Sequence, residues 1–325
     1  MQNDPVWTEA TLTATRDLTP DIRLLEIAPV GGALAWDPGS HIDLAVDLNG
    51  RLDRRSYSLV GTADPAVYRI AVKRVAASRG GSSWLHGLLP GQRLQVSAPR
   101  NRFPLQHGAA SYLLIAGGIG ITPLLGMAEA LLQRGADFRL LYAVRSRRDL
   151  AFADMLTTRL GDRLGLFVSD EANRMDLMRE VAVLPAHADI YFCGPSRMLA
   201  GLQDVLAQLD RSSSSLRFET FGSGGLQPNE PFWVKVPRLG IEIAVPENST
   251  MLDALEAAGV EVMSECRRGE CGLCAVDVVA VEGGIDHRDV FLSEQQKREN
   301  HRLCACVSRA VHGGLVIDTA WRADQ

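Results

Sequence analysis

Five of the six cysteines in this 325-residue chain fall between positions 266 and 306, and three of them stand in the spacing C-x4-C-x2-C, as Cys266-Arg267-Arg268-Gly269-Glu270-Cys271-Gly272-Leu273-Cys274. No other feature constrains the fold as strongly. Three thiols this close require a tight loop, and Gly269 and Gly272 give its backbone the freedom to turn N–H groups towards sulfur. A fourth thiol must come from a segment that folds back, and either Cys304 or Cys306 can supply it, with 29 or 31 residues intervening after Cys274. If both lie on one strand they share a face, so alternation does not choose between them. Four thiolates suit an iron–sulfur cluster or a structural zinc. Zinc sites usually pair two short C-x2-C knuckles, and this segment has one, so the cluster is the better reading. The spacing is the one plant-type 2Fe–2S proteins use.

The rest of the chain separates into zones. Residues 1–107 hold short alternating apolar runs, Ile22–Ile27, Ile42–Asp47, Ser56–Val60, Tyr68–Val72 and Arg93–Ser97, which predict a small antiparallel barrel. Asp37-Pro38-Gly39, Asn49-Gly50 and Pro90-Gly91 punctuate them. Residues 108–221 alternate apolar strands (Tyr112–Ala116, Phe138–Val144, Leu164–Ser169, Asp189–Cys193) with helical stretches (Thr122–Arg134, Arg197–Leu209), the pattern of a parallel α/β sheet. A linker follows at 222–231, marked by the glycine-rich run from Gly222 to Asn229. The last zone, 232–325, opens with a strand pair, Phe232–Val236 and Glu242–Val245, and a helix Met251–Ala258 capped by Ser249 or Thr250, with Gly259 beyond its end.

Two glycine-bearing segments mark the α/β zone. Gly117-Gly118-Ile119-Gly120-Ile121-Thr122-Pro123 follows a strand and opens a helix, with Thr122 as the expected N-cap and Pro123 as the first helical residue. A helix start of this kind suits a pyrophosphate. It is not the G-x-G-x-x-G fingerprint, because Pro123 stands where the third glycine would be. Cys193-Gly194-Pro195 ends a later strand, so both segments fall on the carboxyl edge where such sheets bind ligands. In isolation Cys193 reads as a buried, inert thiol. In the barrel zone, Arg54-Arg55-Ser56-Tyr57-Ser58-Leu59 reads as a strand on which Arg55 can take a phosphate bidentately, Tyr57 can flank a flavin ring and Ser58 can bond its polar edge. Alone, it reads better as an exposed barrel strand than as a flavin site.

Taken in order, Arg55-Ser56-Tyr57-Ser58, Gly117 to Pro123, Cys193-Gly194-Pro195 and the terminal cysteine motif resemble the phthalate dioxygenase reductase family, within the ferredoxin–NADP reductase superfamily. The likeness spans nearly the whole chain. It implies a multidomain protein: an antiparallel β-barrel that binds FMN, an α/β parallel-sheet domain that binds NAD, and a C-terminal α+β ferredoxin domain of β-grasp form. It implies the FMN site residues Arg55, Ser56, Tyr57 and Ser58, the strand Ala71-Val72-Lys73, the phosphate loop Gly80-Gly81-Ser82, Thr122, and Phe221 over the flavin. For NAD it implies Gly117, Gly118, Gly120, Pro123, Cys193, Gly194 and Pro195, with Ser58 and Cys193 at the flavin–nicotinamide contact. Because the family's fourth ligand directly precedes V-S-R-A, the resemblance selects Cys306 beside Cys266, Cys271 and Cys274, leaving Cys304 spare.

Members are reductase components of Rieske-type oxygenases and O-demethylases, vanillate demethylase among them. The implied activity is electron transfer from NADH through FMN and a 2Fe–2S cluster to a terminal oxygenase. A flavin is needed because a nicotinamide gives two electrons at once and the cluster takes one. Another acceptor, such as a monooxygenase hydroxylase or a soluble redox protein, is the alternative. NADH is preferred to NADPH, since Arg145, Arg147 and Arg148 read better as a solvated turn than as a 2′-phosphate site. Arg267, Arg268 and Glu270 are the expected docking charges. The formal charge of −5 argues against nucleic acid, and no apolar run reaches the length of a membrane span. The start, Met1-Gln2-Asn3-Asp4-Pro5, lacks a signal-peptide pattern, so a cytoplasmic monomer without disulfides is expected.

Overall fold

The structure, a computed structural model, describes residues 6–48, 50–75, 80–221 and 227–319. The chain falls into two units, one ending at Glu219 and one beginning at Thr220. The first unit opens with β1 (Trp7–Thr19), β2 (Ile22–Pro29), β3 (Ser40–Leu48), β4 (Arg51–Ser58), β5 (Tyr68–Lys73), helix α1 (Gly81–His86), β6 (Arg93–Ser97) and β7 (Arg100–Asn101). The strands run in the order β4-β3-β6-β1-β2-β5, with β7 on β3. All their pairings are antiparallel. A bridge between Leu59 and Ile70 joins the two ends of the path and closes the barrel. Alternate side chains fill the interior, with Leu12, Leu25, Ile27, Ile42, Leu44 and Ile70 fully buried. β1 escapes the sequence pattern because only Ala10 and Leu12 of its thirteen residues are buried.

The same unit continues with β8 (Tyr112–Gly117), α2 (Ile121–Gln133), β9 (Phe138–Val144), α3 (Ala153–Leu160), β10 (Leu164–Val168), α4 (Leu177–Ala182), β11 (Asp189–Gly194), α5 (Ser196–Gln208) and β12 (Leu216–Thr220). The sheet order is β10-β9-β8-β11-β12. β8 pairs in parallel with both β9 and β11, and β9 with β10. Every residue of β8 is buried, as expected of a central parallel strand covered on both faces. Chain order reverses between β8 and β11, which makes their carboxyl ends the topological switch point.

The second unit contains β13 (Phe232–Val236), β14 (Ile241–Val245), α6 (Met251–Ala257), β15 (Ala275–Asp286), α7 (Glu294–Glu299), β16 (Arg302–Cys304) and β17 (Arg309–Asp318), with sheet order β14-β13-β17-β15-β16. β13 and β17 are parallel and the other pairs antiparallel. The sheet grips α6, whose Met251, Leu252 and Leu255 pack with Val234, Leu315 and Ile317. Thr250 is the helix cap, in a reciprocal box with Asp253 contributing about 1 kcal/mol. Of the expected linker, residues 222–226 lie outside the described residues, as does Asn49 of the Asn49-Gly50 turn. Among the described residues no helix is long and apolar enough to cross a membrane.

Candidate functional site

Strand β4 sets out the barrel motif. Its partner β3 places Leu44, Asp43, Ile42 and His41 opposite Arg55, Ser56, Tyr57 and Ser58. Ser56 Oγ donates to Asp43 Oδ1 at 2.5 Å. Asp43 is buried, and Arg54 and Arg100 both reach its carboxylate. Asp43 is the buried centre of this set while Arg54 and Arg100 keep about a third of their side chains in solvent, so the acid ties β4 to its neighbours without being left unpaired. Arg55 pairs with Asp53 through Nη1 at 2.6 Å, while its Nη2 is buried with no hydrogen-bond partner among the described residues. Gly81, the first residue of α1, lies against the same guanidinium: a Cβ there would sit 2.9 Å from Arg55 Nε. An orphaned donor beside a glycine backbone is what an incoming phosphate would satisfy. Gly80 adopts φ +94, and Ser82 Oγ accepts from Val75 N at 3.2 Å. The structure therefore brings Arg55 to the Gly80-Gly81-Ser82 loop, and the group fits the phosphate of FMN.

Tyr57 is half-buried, and burial pushes its phenol up to about 12 against the opposing pull of Arg55. It stays protonated and offers a flat neutral face. Ser58 is buried, and its Oγ donates to Glu219 Oε2 at 3.5 Å. Glu219 is a buried carboxylate in β12 that the sequence reading passed over. It lies two residues before Phe221, which is half-buried. Ala71 and Val72 are buried in β5, and Lys73 Nζ pairs with Asp149 Oδ1 at 2.9 Å.

At the switch point the two glycine segments meet backbone to backbone. A Cβ on Gly120 would lie 2.1 Å from the Cys193 carbonyl oxygen, one on Gly117 2.5 Å from Pro195 Cδ, and one on Gly194 3.0 Å from Gly117 Cα. Only glycine permits this approach. Thr122 is not the helix cap. Gly118–Gly120 already wind a 3-10 turn that runs directly into α2, so the helix begins at Ile121 with Gly120 at its cap. Thr122 is buried in the first turn, its Oγ1 donating to Ile119 O at 3.0 Å. Pro123 is the third helical residue, still where a missing N–H costs nothing. Cys193 is fully buried. At the end of β9, Arg147 makes a two-point pair with Glu171 and Arg145 lies 3.9 Å from Asp170.

In the second unit, Arg267, Gly269 and Gly272 all have left-handed backbones and coil the cysteine loop. As a result the N–H groups of Arg268, Glu270 and Cys271 each point at Cys266 Sγ from 3.4 Å. Amide donors converging on one sulfur stabilise the thiolate form and fix its orientation for a metal. The Cys306 thiol, then these amides, pull the Cys266 thiol down to about 4. Cys274 falls to about 3 through the thiols of Cys304 and Cys306. In return, Cys304 is pushed up chiefly by Cys274, and Cys306 by Cys266 and Cys274. Cys306 thus reaches both loop thiols. The shared-face premise does not apply, because β16 ends at Cys304 and the chain turns, with Val307 N and Ser308 N both donating to Cys304 O. The expected docking charges are paired within the chain: Arg267 with Asp253 and Glu256, and Arg268 with Glu270 at 3.3 Å. Exposed apolar side chains, Leu273 and Phe291, adjoin the loop instead.

Comparison with known proteins agrees with both units. Residues 114–204 match the oxidoreductase NAD-binding domain family, and residues 234–311 the 2Fe-2S iron-sulfur cluster binding domain family. The chain is 39% identical over 310 residues to the heme-dependent oxidative N-demethylase beta subunit of Ectopseudomonas mendocina, covering 94% of this chain and 97% of that one. It is 36% identical over 323 residues to the vanillate O-demethylase oxidoreductase of a Pseudomonas species, with 95% and 99% covered. Among solved structures, phthalate dioxygenase reductase, described as a modular structure for electron transfer from pyridine nucleotides to 2Fe-2S, superposes with a TM-score of 0.77 at 33% identity, covering 96% of this chain and 98% of that one.

Proposed function

The chain belongs to the phthalate dioxygenase reductase family, and from that premise we propose that it is the NADH-dependent reductase component of a Rieske-type oxygenase or O-demethylase. One observation carries the reading: a single chain combines a glycine-built nucleotide edge at β8 and β11 with a cysteine loop whose amides converge on Cys266. The first is an entry for hydride and the second an exit for single electrons. FMN, held by Arg55 and the Gly80-Gly81-Ser82 loop, would supply the conversion between two-electron and one-electron chemistry that a nicotinamide donor and a 2Fe–2S acceptor require.

The side chains divide this work. Arg55 and the Gly80-Gly81-Ser82 loop hold the FMN phosphate. Tyr57, Ala71-Val72-Lys73, Thr122 and Phe221 surround the ring, and Ser58, oriented by Glu219, bonds its polar edge. Gly117, Gly118, Gly120, Pro123, Cys193, Gly194 and Pro195 form the NADH edge, with Cys193 beside the nicotinamide. Cys266, Cys271, Cys274 and Cys306 hold the cluster. The working boundaries are 1–107 for the FMN barrel, 108–221 for the nucleotide domain, 222–231 for the linker and 232–325 for the ferredoxin domain. In this reading the protein is a cytoplasmic monomer that delivers electrons to a separate oxygenase.

A second acceptor class has an observation in its favour, since one relative is named as a subunit of a heme-dependent N-demethylase. Two measurements test the proposal. Anaerobic NADH should bleach a flavin spectrum and raise the EPR signal of a reduced 2Fe–2S centre; a colourless protein overturns the reductase reading. Turnover restored with a Rieske-type oxygenase supports the partner assigned here, and turnover only with a heme-dependent one replaces it.

A further inference from the structure

The segment Asp289–Leu292 has no part in the electron path described above, yet it touches both halves of the cysteine site. Asp289 is buried. Its Oδ1 accepts from Ser308 Oγ at 3.2 Å, and its Oδ2 accepts from Leu292 N at 2.8 Å. Ser308 stands two residues after Cys306 and also accepts from Arg288 N at 3.3 Å. On the other side, Val290 N donates to Gly269 O at 2.9 Å, inside the loop that carries Cys266 and Cys271. The packing there is close: a Cβ on Gly269 would lie 2.9 Å from Asp289 Cα, and one on Gly272 within 2.4 Å of the Phe291 ring. One short segment is therefore fastened to the three-thiol loop at both its glycines and to the Cys306 turn through a single carboxylate.

We propose that Asp289 is a positioning residue for the cluster, holding the Cys306 turn in register with the Cys266–Cys274 loop through Ser308. It rests on the cluster reading above. The carboxylate is suited to this because it accepts on both oxygens at once. An asparagine of the same size keeps one acceptor and turns the other into a donor facing Ser308 or the Leu292 amide. Without the tie, the backbone contacts, the Arg288 N to Ser308 bond and the packing of Val307 on Gly269 remain, but no carboxylate joins the two sides, and the fourth thiolate is held less firmly at its distance from the other three.

The test uses the full-length holoprotein with three variants, Asp289→Asn, Asp289→Ala and Ser308→Ala. Iron release to a chelator is followed anaerobically, with the EPR spectrum of the dithionite-reduced protein as the second readout. Loss of such an outer partner typically weakens a metal site about 10- to 100-fold, so Asp289→Asn should release iron faster by that factor and shift the EPR line shape. Ser308→Ala should act in the same direction and at least as strongly, because it removes the bond to Asp289 and also the acceptor for Arg288 N, and adding Asp289→Asn to it should change little, since the bond between the two residues is already gone. Ser308→Ala deletes a single oxygen, and so keeps the test open should an Asp289 variant fail to fold. Reduction of FMN by NADH, a property of the other unit, should not change. Unchanged release and line shape in Asp289→Asn and Ser308→Ala overturn the proposal, as does a lowered Tm with wild-type release. A wild-type protein that carries no 2Fe–2S signal would instead overturn the cluster reading itself.

Discussion

Gly120 is the sharpest place to test the nucleotide edge. It has φ −61 and ψ −4, which alanine adopts without strain, so any effect of Gly120→Ala comes from the added methyl group. That methyl would sit 2.1 Å from the Cys193 carbonyl oxygen and 2.5 Å from its carbonyl carbon, where ordinary contact begins at 3.4 Å. Both neighbours are backbone, so no side chain can swing away, and the ends of β8 and β11 must part by about 1 Å. Overpacking of this kind costs about 1–3 kcal/mol of stability. The functional loss is at the upper end of the same range, because a displacement of about 1 Å in a positioned reactant can cost about 100-fold in rate, or about 2.7 kcal/mol. Stopped-flow reduction of the flavin by NADH measures it, and kcat/KM should fall by about that factor while dithionite still reduces flavin and cluster fully. Gly135→Ala is the control. It lies just past the other end of α2 with φ +66 and nothing within 4 Å, so it should cost about 1 kcal/mol of stability and leave the rate alone. A Gly120→Ala protein that takes hydride at the wild-type rate refutes the reasoning.

Three further outcomes follow from the site geometry. Cys306→Ser should abolish the reduced-cluster EPR signal and Cys304→Ser should keep it, because Cys306 reaches both Cys266 and Cys274; the reverse result exchanges the ligand assignment. Arg55→Lys replaces a fork with a point charge and should weaken FMN retention about tenfold by equilibrium dialysis; equal retention would remove Arg55 from the phosphate site. Glu171→Ala frees the Arg147 guanidinium, so the NADPH-to-NADH ratio of kcat/KM should rise about two- to fivefold, and an unchanged ratio places the 2′-hydroxyl elsewhere.

How far the fold can be read from sequence depends on which faces are buried. β8, β9 and β11 are apolar along nearly their full length because they are covered on both sides, and their positions follow from composition alone. β1 is the longest strand of the barrel and carries no such signal, since threonines and charges fill its outward positions. β15 is misleading in the other direction: Val279 and Val281 are exposed, so apolar alternation there does not mark a core face. β17 is interrupted by Gly313 and Gly314, which read as breakers. In the fold they are where Glu282 and Trp233 come too close for any Cβ, and His312 at φ +55 supplies the irregular step. Propensity describes one strand at a time, and these positions are decided by the neighbour across the ladder.

The site shows the same division in chemical form. The motif residues are legible because their chemistry lies at fixed short spacing: three thiols, a glycine turn, an arginine with a tyrosine and serines. The acids that hold them are not. Ser56 donates to Asp43, Ser58 to Glu219 and Ser308 to Asp289, across separations of 13, 161 and 19 residues. All three carboxylates are buried, and a buried carboxylate survives only when its oxygens are satisfied. Each serine contributes part of that satisfaction and in turn loses its rotational freedom. In each case the motif carries the donor and topology delivers the acceptor, so the pairing stays hidden until the strands are paired, even where the acid stands in a recognisable string, as Asp289 does in Asp286-His287-Arg288-Asp289. Substituting the acid by its amide should therefore disturb each motif while leaving its shape and its sequence signature intact.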